Sequence, residues 1–247
     1  MPKVVVIGSR GRLGQAFVKY GKFPGYEICP LNARINDKFS GDNFLGLNEG
    51  DILLNCAAYT NVKESENEFI RCWATNTILP AFLVEKSEQI GFNLVLFSTD
   101  YSIRSEYHHH EYTKSKMRME RECAGQGLII RLSNLIGEDD IENSKVNLVI
   151  KLLESDEISV GDITIYPTLL NEKTVRKLCK VIMSNRNKIM NCFGPEYKLS
   201  DFVKELYQEC GKPLKLSIKD SPKIDRIRKR HTKLFFDWSF IKSCIKC

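Results

Sequence analysis

Tyr112 precedes Lys116 by four residues, a spacing at which two side chains share one face of a helix. An ammonium held about 4 Å from a phenol oxygen, at an effective dielectric of ~20, favours the phenolate by roughly 4 kcal/mol. At about 1.36 kcal/mol per unit, that draws the phenol roughly three pK units down from its usual value near 10. A tyrosine tuned toward neutrality can pass its proton to a carbonyl oxygen as that carbonyl is reduced. The spacing is not selective in itself, because Tyr59 and Lys63 repeat it. Context separates the two pairs. Tyr112 follows the apolar run Leu94-Val95-Leu96-Phe97, which ends in Ser98-Thr99-Asp100, and opens a segment of helical character marked by Met117, Met119 and Cys123. Tyr59 has no comparable hydroxyl-bearing strand end shortly before it.

Such a pair needs a scaffold, and the first residues supply its beginning. Val4-Val5-Val6-Ile7 is continuously apolar and β-branched, the pattern of a strand buried on both faces. Gly8-Ser9-Arg10-Gly11-Arg12-Leu13-Gly14 follows at once and leads into a helical pattern through Phe17 and Val18. A strand, a glycine turn and a helix aim backbone N–H groups and a helix N-terminus at a pyrophosphate. Further strand-like runs at 52–54, 94–97 and 128–131 alternate with helical candidates around 65–72 and 78–90. This alternation predicts an α/β protein of the Rossmann type, a doubly wound parallel sheet with helices on both faces. Ligands then lie beyond the carboxyl ends of the strands. Ser9–Gly14, Cys56-Ala57-Ala58, Ser98–Asp100 and Ser133-Asn134 all fall at such ends, so independent segments converge on one cleft.

An NAD site usually places an acid about twenty residues past the glycines, for the ribose 2′-hydroxyl. Here that count reaches Asn32-Ala33-Arg34, which holds no acid. Arg34, with Arg10 and Arg12, suits a 2′-phosphate, so NADPH is expected over NADH. The alternative is that Arg34 is an ordinary surface residue.

At 247 residues, with 43% hydrophobic and 28% charged side chains, the chain can build one substantial core with an appended lobe. No apolar stretch approaches a membrane span, and Val4 enters a strand too early to leave room for a signal peptide. Nine cysteines without framework spacing are expected as reduced thiols in a cytoplasmic setting. The terminal Cys244-Ile245-Lys246-Cys247 is read as a tail, since a lone CxxC makes no zinc site. His108-His109-His110 is read as a polar loop, because three successive residues cannot converge on one metal from regular structure; no metal site is expected. The net charge of +6 divides unevenly, with +8 from residue 212 onward and −2 before it. Either a solvated basic face or a lobe that meets an anionic diphosphate accounts for this. No nucleic-acid motif accompanies the charge.

Taken together, these segments resemble the extended short-chain dehydrogenases/reductases and, within them, the dTDP-4-dehydrorhamnose reductase branch. The glycine loop, Asn55-Cys56-Ala57-Ala58-Tyr59-Thr60-Asn61-Val62, Asn76 with Pro80, Ser98-Thr99-Asp100-Tyr101 and Arg131–Gly137 carry the likeness. The resemblance implies a cofactor set of Gly8, Ser9, Arg10, Gly11, Arg12, Leu13, Gly14, Arg34, Cys56, Ala57, Ala58, Tyr59 and Ser98. It makes Thr99 the hydroxyl that holds the substrate carbonyl, Tyr112 the proton donor and Lys116 the amine that binds the nicotinamide ribose and depresses the Tyr112 pKa. Asp100, Tyr101, Asn134, Arg228 and Arg230 would face a nucleotide-linked 4-keto-6-deoxy-hexose, reduced at C4 by NADPH. The dinucleotide domain is expected over 1–137 and the substrate lobe over 138–247, with some chain returning to the sheet. The sequence departs from the branch in several places: the chain is short, the proline-rich approach to Tyr112 is missing and Thr113 stands where a glycine usually follows the tyrosine. Only thirteen positions separate Thr99 from Tyr112, and Asn134 stands where a tryptophan is usual. An added epimerase step of the GDP-fucose synthase type, a non-catalytic dinucleotide-binding regulatory subunit and a homodimeric assembly all remain open.

Overall fold

The computed structural model describes residues 1–31, 44–138, 152–153, 155–219 and 231–245. β1 (Lys3–Ile7), β3 (Ile52–Asn55), β4 (Asn93–Thr99) and β5 (Leu128–Leu132) are apolar along nearly their whole length. They pair in parallel at the centre of a seven-stranded sheet. β2 (Glu27–Leu31) adds to β1 at one edge, where Pro30 forfeits a donor at little cost. That proline and the strand's polar content hide β2 from a reading by periodicity.

The other edge comes from the C-terminal half. β10 (Ile189–Phe193) pairs with β5, and β13 (Thr232–Lys233) pairs with β10, both in parallel. The order is therefore β13-β10-β5-β4-β3-β1-β2, and it reverses direction between β1 and β3. A ligand crevice opens where strand order reverses.

Helices cover both faces. α1 (Arg12–Tyr20) and α5 (Glu172–Ser184) pack Phe17, Val175, Leu178 and Ile182 against Val4, Val6, Ile52 and Ile130. On the opposite face, α3 (Leu79–Ile90) and α4 (Glu111–Glu122) bring Leu79, Leu83, Val84 and Met119 to Val5, Leu53, Leu94 and Leu96. α2 (Phe69–Trp73) runs into α3 through a π-turn at Ala74–Ile78, so the two helical stretches read from the sequence join end to end. Gly91 closes α3 in the left-handed conformation, φ 88°.

A second, smaller core gathers Ile136, Val160, Ile165, Leu169, Phe202, Val203, Leu206 and Ile241. It is built on β6 (Leu135–Ile136), β7 (Glu157–Gly161), β8 (Thr164–Ile165), β9 (Thr168–Leu169), β11 (Tyr197–Lys198), α6 (Leu199–Glu209), β12 (Lys215–Lys219) and α7 (Trp238–Ile245). β6 pairs with β9, β8 with β11, and β7 with β12, so this core rests on three two-stranded pairings rather than one sheet.

Gly194 joins the two cores: a Cβ there would collide with the Pro167 carbonyl. Neither backbone can retreat without breaking the β10 pairing or the β6–β9 pairing. Gly194→Ala is therefore expected to cost about 3 kcal/mol or more, measured as a fall in the urea midpoint.

Candidate active site

The glycine turn is packed directly on the end of β3. Gly8 has φ 73°, and a Cβ there would lie 2.6 Å from the Ala57 amide nitrogen. A Cβ on Gly14 would strike the Gly8 carbonyl. The turn closes through Gly11 N–H donating to the Gly8 carbonyl at 3.0 Å, and Cys56 N–H continues the ladder to the Ile7 carbonyl at 2.9 Å. α1 begins at Gly11, which offers no capping side chain, and its first turn carries no acid. Its first backbone N–H groups therefore remain suited to an anion. Ser9 donates to the Leu31 carbonyl at 3.1 Å, tying the turn to β2. Arg10 is exposed, whereas Arg12 donates to the Leu135 carbonyl at 3.3 Å and so reaches toward the second core.

The segment after β3 is pinned by Asn76, from the π-turn. Its Oδ1 accepts from Tyr59 N–H at 2.9 Å and its Nδ2 donates to the Tyr59 carbonyl at 3.0 Å. The same nitrogen donates to Ser115 Oγ on α4 at 3.1 Å. Asn76 is fully buried. Burial also pushes the Cys56 thiol up in pKa. Tyr59 and Lys63 run through a turn rather than a helix, so they share no helical face.

Tyr112 and Lys116 both lie on α4. This helix has no side-chain cap of its own. Glu66 instead accepts from Glu111 N–H at 3.0 Å, and Ser65 Oγ accepts from Tyr112 N–H at 3.1 Å. The residues after β3 thus fix where the tyrosine enters its helix. That capping across 45 or more residues has no local signature in the sequence.

The phenol of Tyr112 faces the Thr99 hydroxyl, which approaches it from the end of β4. Its pKa nevertheless stands above 10. Burial is the main cause, Thr99 pulls it down, and Asp100 and Cys72 push it up. This corrects the expectation that Lys116 acidifies it. The Lys116 ammonium is turned to the Phe97 carbonyl, to which it donates at 3.0 Å. Burial also lowers the Lys116 pKa from 10.5 to about 8.

Three other expected ligand contacts are taken up within the protein. Ser98 donates to Glu120 at 2.6 Å, and Glu120 also binds Arg131. Asp100 is buried and paired with Arg104 at 3.2 Å, with Ser133 also hydrogen-bonded to it. It serves the loop's own frame rather than an open substrate face. Asn134, at φ 40°, accepts from Ser133 Oγ at 2.9 Å and orients the turn before β9 through Tyr166 N–H at 3.4 Å. Tyr101 remains half-exposed beside Tyr112. The three histidines have separate surroundings: His108 meets the Ser102 carbonyl at 3.3 Å and His110 faces Glu66 at 3.5 Å. Arg34, Arg228 and Arg230 lie outside the described residues. Among the described residues, no helix is long and apolar enough to cross a membrane, and eight cysteines are free thiols.

A glycine turn at the switch point of a parallel sheet, with a serine–threonine strand end facing a helical tyrosine and lysine, defines an extended short-chain dehydrogenase/reductase. The chain belongs to the RmlD substrate binding domain family, whose model matches residues 2–191. It is 35% identical over 104 residues to the spore coat polysaccharide biosynthesis protein SpsK of Bacillus subtilis, covering 41% of this chain and 37% of that one. It is 28% identical over 142 residues to dTDP-4-dehydrorhamnose reductase of Mycobacterium tuberculosis, covering 56% of this chain and 45% of the relative. The aligned part is thus less than half the length of these curated relatives. Among solved structures, dTDP-4-dehydrorhamnose reductase from Bacillus anthracis in complex with NADP shares the fold at a TM-score of 0.75 and 20% identity, over 96% of this chain and 91% of that one.

The lowered Lys116 pKa has a consequence for stability. Below about pH 8 the ammonium is charged in both folded and unfolded chains, and the folded chain bears its full desolvation cost. Between about 8 and 10.5 the unfolded chain holds the extra proton, so stability rises with pH across that window. The cost amounts to about 3 kcal/mol at neutrality, offset by about 1 kcal/mol from the bond to Phe97. Lys116→Met is therefore expected to be more stable than the parent at pH 7, with the advantage shrinking toward pH 10 in urea titrations.

Proposed function

We propose that this protein reduces the C4 keto group of a nucleotide-linked 4-keto-6-deoxy-hexose, a dTDP- or UDP-4-dehydrorhamnose-like sugar, in deoxysugar biosynthesis. The observation that carries this reading is that the Thr99 hydroxyl, at the carboxyl end of β4, faces the Tyr112 phenol on α4 beside the glycine turn. Two hydroxyls meeting there can grip a single carbonyl oxygen. NADPH, when bound, supplies the hydride. The uncapped, acid-free start of α1 and the bare backbone of the Gly8–Gly14 turn fit its pyrophosphate. Family membership, and the NADP- and NADPH-bound proteins that share the fold, support the same choice.

The chain's own groups perform the rest. Thr99 donates to the carbonyl oxygen and polarises it. Tyr112 gives its proton to that oxygen as negative charge develops there. A phenol whose pKa lies above 10 is fully protonated at neutral pH, which is the form a proton donor needs. Lys116, one helical turn along, still mostly cationic at pH 7 and held by the Phe97 carbonyl, would bind the nicotinamide ribose hydroxyls of the bound cofactor.

Purified protein should oxidise NADPH when given dTDP- or UDP-4-keto-6-deoxy-hexoses, followed at the nicotinamide absorbance band. Tyr112→Phe should lower kcat by about 100-fold or more while leaving NADPH binding in place. Tight NADPH binding without oxidation by any such sugar would sink the reductase reading and leave a regulatory dinucleotide-binding subunit.

The pH profile follows from Lys116. Its charge is lost as pH rises through about 8, so kcat should hold level below that value and decline above it. A rate that climbs through pH 8–9 instead would show that the lysine acts in its neutral form.

A further inference from the structure

The twelve-residue connection between Thr99 and Tyr112 folds into two short 3-10 turns, Asp100–Ile103 and Ser105–Tyr107. Its centre is Arg104, which is only 4% exposed. The guanidinium binds Asp100 Oδ2 at 3.2 Å and Glu106 Oε1 at 3.0 Å. It also lies 4.9 Å from the centre of the Tyr107 ring. Tyr107 in turn stacks on Tyr101, with centroids 4.0 Å apart and planes 11° from parallel. Tyr101 then meets the Tyr112 ring edge-on, at 6.3 Å and 89°. A second arm leaves the same guanidinium through Asp100, which accepts from Thr99 Oγ1 at 3.4 Å. The Thr99 hydroxyl faces the Tyr112 phenol. The contacts therefore run in two arms from Arg104, one to each hydroxyl of the site.

We propose that Arg104 and Tyr107 are positioning residues that hold Tyr101, and through it the Tyr112 phenol, in register with the Thr99 hydroxyl. The geometry favours this role over a merely local one. A flat ring between a fixed cation and a second ring leaves Tyr101 little freedom to rotate, and an edge-to-face neighbour restrains Tyr112 in turn. The backbone bonds of the connection are local turn bonds: Arg104 N–H to the Tyr101 carbonyl at 3.2 Å, Tyr107 N–H to the Arg104 carbonyl at 3.0 Å, His108 N–H to the Ser105 carbonyl at 3.1 Å and His110 N–H to the Tyr107 carbonyl at 3.2 Å. The tie from this loop to the Tyr112 ring runs through side chains. The catalytic consequence rests on the proposed reduction, whereas the positioning itself does not.

The test combines a spectroscopic arm with a kinetic one. In protein labelled with 3-fluorotyrosine, the Tyr101 and Tyr112 fluorine resonances are assigned from Tyr101→Phe and Tyr112→Phe. Tyr107→Leu, which keeps apolar bulk but removes the flat ring, should shift or broaden both resonances, and Tyr107→Phe should leave Tyr112 in place. Tyr107→Leu should also lower kcat by about 10- to 100-fold with NADPH binding unchanged, and Tyr107→Phe should restore it to within about twofold. Arg104→Lys, which keeps the charge opposite Asp100 but not the planar group over Tyr107, should disturb the Tyr101 resonance in the same sense. A Tyr112 resonance indifferent to Tyr107→Leu would overturn the proposal, as would a Tyr107→Phe variant as damaged as Tyr107→Leu. If the parent protein reduces no keto-sugar nucleotide, the reductase reading fails, and the fluorine spectra still decide the positioning claim.

Discussion

A single buried amide holds the parts of this site together. Asn76 has no route to water, so each of its polar atoms must find a partner inside the protein or cost about 1–3 kcal/mol. It finds them in the N–H and C=O of Tyr59 and in the hydroxyl of Ser115. The first two belong to the chain leaving β3 and the third to the helix that carries Tyr112. The π-turn at Ala74–Ile78 makes this possible. Its wider coil lets Asn76 face inward while Leu79 and Leu83, just beyond, stay in the apolar core. The glycine turn is pressed onto the same post-β3 backbone. The strand ends and α4 therefore move together or not at all.

The helix held in this way is electrostatically expensive. Lys116 is buried, and its ammonium donates to a backbone carbonyl. One turn further on, Glu120 is buried against Arg131, and across the cleft Asp100 is buried against Arg104. Buried pairs of this kind contribute little net stability, because desolvation consumes most of the Coulomb gain. Well-packed apolar residues would serve the fold as well or better. What the charged residues supply is fixed direction: each constrains a neighbour, Ser98 in one case and the Thr99–Tyr112 connection in the other. A lysine buried at such a cost is accounted for by the role proposed for it rather than by the fold.

The framework was legible in the sequence because its signals are local. The β-branched run before Gly8, the glycine turn and the alternation of strands with helices depend on neighbours in the chain, and the parallel sheet follows from them. The placement of Tyr112 and Lys116 on one helix was equally legible from spacing and context. Partners were not. Ser98 and Asp100 sit at a strand end where ligand contacts are common, yet their side chains are taken by Glu120 and Arg104, which no pattern links to them. The direction of the Tyr112 pKa was misjudged for the same reason. The sequence shows how far apart two residues lie along a helix, but not that the amine bends back to the Phe97 carbonyl. Asn76, Ser65 and Glu66 act over 17 to 47 residues and across a π-turn, beyond the reach of periodicity.

The corrected electrostatics bear on the direction of chemistry. A phenol drawn down to neutrality would exchange protons either way with similar ease. Here burial disfavours both charged forms: it raises Tyr112 above its usual value and lowers Lys116 to about 8. At pH 7 the outcome is a neutral phenol and a cationic amine, because neither shift carries its group across neutrality. A neutral phenol suits delivery of a proton to an oxygen gaining charge. Removal of a proton from an alcohol would need the phenolate beforehand, in a site whose burial and whose neighbour Asp100 both oppose it. On the proposed reading, these protonation states suit reduction of a carbonyl at neutral pH.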